Sequence, residues 1–220
     1  NRRRELPDDL ITEVAGVRIT HPLCTAIDLA RELPLPSALI TLDAVMRATA
    51  VSFNPADRRP DHRRVESPIA AQWAFDRLAG VAASLHGSKG APSARRALEM
   101  ASPRAESPAE SFSRGHMLLA GIVPLELQHR VFDADGVERR LDFLLAPGLA
   151  GEVDGMVKYD GPQGPARLRG EKSRDLLLER VDVRTLRWTG VEVFRDPVAV
   201  VRLVGRTIAQ HRAARAGRSA

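Results

Sequence analysis

The feature that most constrains the fold is a change of pattern near the middle of the chain. Residues 102–109 (SPRAESPA) form a short Ser/Pro-rich hinge. Before it, apolar residues recur at helical spacing. After it, short strand-like runs take turns with helical ones, the mark of layered α/β architecture. The expected division is a mainly helical region over residues 1–102 and an α/β domain over residues 103–220.

Local signals fill in the first region. Leu10–Val14 and Val17–Ile19 flank Ala15-Gly16, which predicts a short β-hairpin. Thr20 or His21 can cap a helix, and Pro22 suits its first position. That helix is expected to run to about Glu32, before Pro34-Leu35-Pro36. A second helix over Ser37–Thr49 carries Leu39, Ile40, Leu42, Val45 and Met46 as its apolar stripe. Residues 53–66 (FNPADRRPDHRRVE) read as a mobile polar loop. Ser67-Pro68 opens a further helix, Gly87–Gly90 breaks it, and residues 92–101 make a short one.

In the second region a helix is expected from Pro108 to about Ala120. Strands follow at 125–131, 139–145 and 150–153, with Asp133-Ala134-Asp135-Gly136 as a turn. A loop at 160–166, a helix at 168–180, a strand at 182–188 and a last helix capped by Asp196 complete the order α-β-β-β-α-β-α.

Composition excludes several classes. Cys24 is the single cysteine, so neither a disulfide framework within the chain nor a Cys-rich zinc site is available; a reducing, cytoplasmic setting is expected. No apolar run approaches the roughly 20 residues that span a bilayer, so no membrane association is expected. The 33 basic residues exceed the 28 acidic ones, for a net charge of +5. An Arg-rich surface suits a polyanion such as DNA, although GC-rich coding enriches the same residue. The start at Asn1, directly in Arg2-Arg3-Arg4, reads as the continuation of an upstream segment.

The chemistry-bearing residues are carboxylates. In Leu141-Asp142-Phe143-Leu144-Leu145, strand alternation puts Leu141, Phe143 and Leu145 on a core face and Asp142 on the other. In Gly151-Glu152-Val153-Asp154-Gly155, Glu152 and Asp154 share a face. If the two strands pair, the carboxylates converge, which is unfavourable unless a cation or a proton intervenes. A hard divalent ion such as Mg²⁺ or Mn²⁺ would suit such oxygen ligands. Equally, Asp154-Gly155 is an ordinary turn dipeptide, and Asp142 can lie on a solvated sheet face. Ser107-Pro108-Ala109-Glu110 has the spacing of a capping box, which alone accounts for Glu110. Glu171, Lys172, Arg174 and Asp175 form either a solvated helix face or a basic group near a phosphate.

The segments ESPAES (106–111), LDF (141–143), GEVDG (151–155), VKY (157–159), EKSRD (171–175) and TLRW (185–188) resemble the PD-(D/E)XK nuclease superfamily, close to very-short-patch-repair-endonuclease-like domains. The resemblance implies a mixed-sheet, restriction-endonuclease-like core and a Mg²⁺- or Mn²⁺-dependent site. In that site Asp142 and Glu152 would be the metal ligands, with Glu110 as a further acid on the first helix. The superfamily usually carries a lysine where this chain has Asp154. Lys158 and Lys172 are the candidates for its role, and with Arg174 for contact to nucleic acid. The first region, through GVRIT (16–20), TAIDLAR (25–31) and LDAVMR (42–47), resembles AbiEi-like antitoxins of actinobacterial proteins. That implies a winged helix upstream and a toxin protein as partner. Two functions are therefore expected: a metal-dependent DNA endonuclease, or a catalytically impaired DNA-binding regulator or antitoxin.

Overall fold

The structure, a computed structural model, describes residues 8–53, 60–84, 87–155 and 164–218. The chain divides into two compact units, Asn1–Ser111 and Phe112–Ala220.

The first unit begins with a two-stranded antiparallel hairpin, β1 (Ile11–Val14) and β2 (Val17–Thr20). Its turn residues Ala15 and Gly16 have φ of 51° and 79°. Two consecutive left-handed residues make the turn that matches strand twist, and glycine adopts it without strain where alanine does not. His21 caps α1 (Pro22–Glu32), its ring Nδ1 accepting the Leu23 amide at 3.2 Å. α2 (Leu35–Val51) begins two residues earlier than expected, because Pro36 fits a first helical turn, where a missing N–H costs nothing. α3 (Pro68–Ser84) and α4 (Ala91–Glu99) follow. The four helices close on Leu23, Ile27, Leu42, Met46, Leu78 and Leu98, with alanines between them allowing close approach.

Part of the expected polar loop is ordered differently. Residues 62–66 form a 3-10 helix capped by Asp61, whose carboxylate accepts the Arg63 amide at 3.0 Å. Buried Val65 pins that turn, an anchor hidden among charged neighbours in the sequence. Residues 54–59 lie outside the described residues.

The second unit holds a four-stranded mixed sheet in the order β3 (Glu126–Phe132), β4 (Glu138–Ala146), β5 (Leu149–Asp154), β6 (Arg184–Thr189). The first three strands are antiparallel neighbours and β5 pairs with β6 in parallel. A parallel pair needs a crossover, supplied by α6 (Gly164–Glu179). The expected loop at 160–166 falls largely outside the described residues. α5 (Pro108–Leu119) precedes the sheet, and α7 (Gly190–Arg195) and α8 (Pro197–Ala216) follow it.

Leu141, Phe143 and Leu145 are all buried, as strand alternation requires, but their neighbours differ. Phe143 stacks on Trp188 with ring centroids 5.8 Å apart, and the Trp188 indole donates to Ser113 Oγ at 2.9 Å. Leu141 instead clusters with Ala150, Leu178 and Val183. Among the described residues no helix is long and apolar enough to cross a membrane.

Candidate functional site

The site is a polar row across the sheet of the second unit. The β5–β6 register pairs Glu152 with Arg187 and Asp154 with Thr189. On the other side β4 pairs Phe143 with Gly151, and one further step along the same register sets Asp142 opposite Glu152. Asp142 accepts the Val153 amide at 2.8 Å through Oδ2 and, more loosely, the Gln128 amide group at 3.4 Å through Oδ1. Gln128 reaches it from β3 with φ of 54°, a left-handed conformation that a strand residue adopts only under constraint.

Glu152 is buried, and two guanidinium groups hold it. Arg174 of α6 donates to both of its oxygens, at 2.6 and 3.4 Å. Arg187 pairs with Glu152 Oε2, with Asp154 at 3.1 Å, and through its second nitrogen with Asp175 at 2.9 Å. Arg187 thus joins β5, β6 and α6. Burial nevertheless pushes the Glu152 carboxyl above its ordinary value. The Arg187 and Arg174 charges oppose that shift, and those of Asp142 and Asp154 add to it. Arg187 itself is desolvated, yet the Asp175 hydrogen bond and the charges of Glu152, Asp175 and Asp154 hold it protonated well above its usual value. These two directions pull apart, since one disfavours charge on Glu152 and the other relies on it. Geometry favours the ion pair: three N–H donors converge on one buried carboxylate, and the ionised form accepts them best.

This arrangement differs from the expected metal site. A divalent ion needs free oxygen lone pairs, whereas both oxygens of Glu152 and one of Asp154 face guanidinium donors, and the oxygens of Asp142 face amides. The residues present do not fit Mg²⁺ or Mn²⁺, and among the described residues no three His, Cys, Asp or Glu side chains are grouped to hold an ion. Glu110 serves the start of α5: its carboxylate accepts the Glu106 amide at 2.9 Å, while its own amide donates to Ser107 Oγ at 3.2 Å. That is close to the expected capping box, except that the carboxylate reaches the residue before the cap. Lys172 is exposed on α6, and Lys158 lies outside the described residues. Arg174, expected near a phosphate, is engaged by Glu152 and by the Arg140 carbonyl at 3.3 Å.

Arg187 was not singled out in the sequence, although it lies inside the TLRW segment. Its partners come from a parallel pairing that sequence spacing does not reveal. Gln128 carried a faint signal as a polar residue on the strand facing Asp142.

Fold and site together define a two-unit α/β protein whose second unit carries an arginine-bridged carboxylate row. Comparison with known proteins adds to this. Residues 1–81 match the family described as AbiEi antitoxin C-terminal domain. Two uncharacterized proteins of Mycobacterium tuberculosis, MT2308 of strain CDC 1551 and Rv2248 of strain H37Rv, are each 32% identical over 189 residues, covering 86% of this chain. The chain spans 59% of the length of those relatives. No solved structure matches.

Proposed function

We propose that this chain is a DNA-binding regulator of the antitoxin type, working with a toxin protein and without phosphodiester hydrolysis. The match of residues 1–81 to the AbiEi antitoxin C-terminal domain carries the reading. The state of the carboxylate row supports it. A nuclease of the kind the sequence resembles holds its metal on free carboxylate oxygens, and here arginines take those of Glu152 while amides face those of Asp142. Part of the charge that a cation would balance is met from within by the two arginines, so the row stabilises the sheet rather than activating water.

One observation keeps the endonuclease as the second reading: Asp142 and Glu152 stand at neighbouring positions across β4 and β5. A single experiment separates the two. Duplex DNA is titrated with the protein at several salt concentrations, and supercoiled plasmid is incubated with it and Mn²⁺. The regulator reading predicts binding that weakens roughly a hundredfold between 50 and 200 mM salt for about four phosphate contacts, with no nicking. Nicking that disappears in Asp142→Asn would establish the endonuclease instead.

A further inference from the structure

We infer that the second unit meets DNA through the exposed arginines of α8, not through the carboxylate row; this rests on the DNA-binding reading above. From Pro197 to Arg218 the sequence contains five arginines and no aspartate or glutamate. Val200, Val204, Ile208 and His211 form the buried side of α8. Arg202 and Arg206 stand on the opposite side, one helical turn apart, followed on the same stripe by Ala209 and Ala213, all four exposed. Arg212 and Arg218 are exposed as well.

Arginines in the last turn of a helix have a structural reason, because they oppose the negative end of its dipole. That covers Arg215 but not Arg202 and Arg206, which lie mid-helix. This mid-helix pair is self-repelling, and neither member makes an ion pair with a described carboxylate. A polyanion removes that repulsion and fits the stripe. Small alanines let a phosphate backbone approach, and Arg202 to Arg212 spans about 15 Å at helical rise, the reach of several phosphates. The carboxylate row cannot serve in its place. There Arg174 and Arg187 pair with Glu152, Asp154 and Asp175, and Asp142 stands beside them, so four carboxylates surround two guanidinium groups and the row is a poor seat for a phosphate.

The test compares two double variants with equal loss of charge, Arg202→Glu/Arg206→Glu on α8 and Arg95→Glu/Arg96→Glu on the exposed side of α4, in the full chain. Binding to a labelled duplex of about 20 base pairs is read by fluorescence anisotropy across a salt series. The α8 variant should bind at least about tenfold more weakly at low salt. Its log–log salt slope should shrink by about 2, since each phosphate contact contributes about 0.9. The α4 variant should stay within about threefold of wild type. If the charge reversal disturbs folding, Arg202→Gln/Arg206→Gln gives the same comparison at a smaller charge change. Equal weakening by both variants would overturn the inference in favour of net charge alone. Intact DNA binding with lost binding to polyglutamate would overturn it in favour of an acidic protein partner. Wild type that binds no DNA at low salt would overturn the DNA-binding reading itself, whereas wild-type binding unaffected by the α8 changes overturns only the placement.

Discussion

Removing Arg187 would take a partner from three carboxylates at once, because Glu152, Asp154 and Asp175 all pair with it. Arg187→Gln should destabilise the second unit by about 3 kcal/mol, the low end for breaking a buried pair, since Arg174 still holds Glu152. Urea denaturation checks this, and a loss below about 1 kcal/mol would mean that solvent screens the network. A separate residue governs acid stability. Asp133 accepts the Asp135 and Val137 amides and the Arg139 guanidinium, the last at 2.7 Å. Burial works against its charge, but these donors prevail and hold its carboxyl below the usual range. A depressed folded-state value gives stability that is present above the unfolded value near 3.8 and is lost as pH falls through the folded one. The melting-temperature gap between wild type and Asp133→Asn should therefore be full at pH 6 and close below pH 3.8. Asp133 and Arg187 differ in legibility for a physical reason. Asp133 sits in a four-residue turn whose hydrogen bonds are local, so sequence alone marks it. The role of Arg187 depends on which strand lies beside β5, and spacing along the chain carries no such information.

Elements with local signals were readable from their ends. His21-Pro22 at the start of α1, Asp196-Pro197 at the start of α8, and Ala15-Gly16 between β1 and β2 all stand where expected. α7 went unpredicted because six residues are too few for a periodic pattern, yet its cap was in view as Thr189-x-x-Glu192. That cap is a full box: the Glu192 amide donates to Thr189 Oγ1 at 3.1 Å, and the Thr189 amide donates to Glu192 at 2.7 Å. Thr189→Ala should cost about 1 kcal/mol by calorimetry. A larger effect is expected where α4 begins. Gly90 has φ of 79°, and a Cβ there would overlap the Arg31 carbonyl of α1. Gly90→Ala combines a left-handed penalty with a backbone clash, so it should lower stability by more than about 1 kcal/mol and loosen α4 from α1. Amide exchange concentrated in α4 would show this, and unchanged protection there would contradict it.

At the scale of the whole molecule, the four-stranded sheet mixes two kinds of neighbour. β3, β4 and β5 follow one another through short turns, whereas β6 returns to β5 only after α6. The side chains of the arginine-bridged row belong to β4, β5, α6 and β6, and the ion pairs of Arg174 and Arg187 join β5, α6 and β6. Contacts distant along the chain incur their loop-closure entropy before they return anything, so they tend to consolidate late on the way to the native state. The row is thus expected to act as a latch that shuts after the antiparallel strands have zipped. Kinetically, its loss should leave the refolding rate of the second unit nearly unchanged and hasten its opening, which a chevron of Arg187→Gln would record as a shift confined to the unfolding limb.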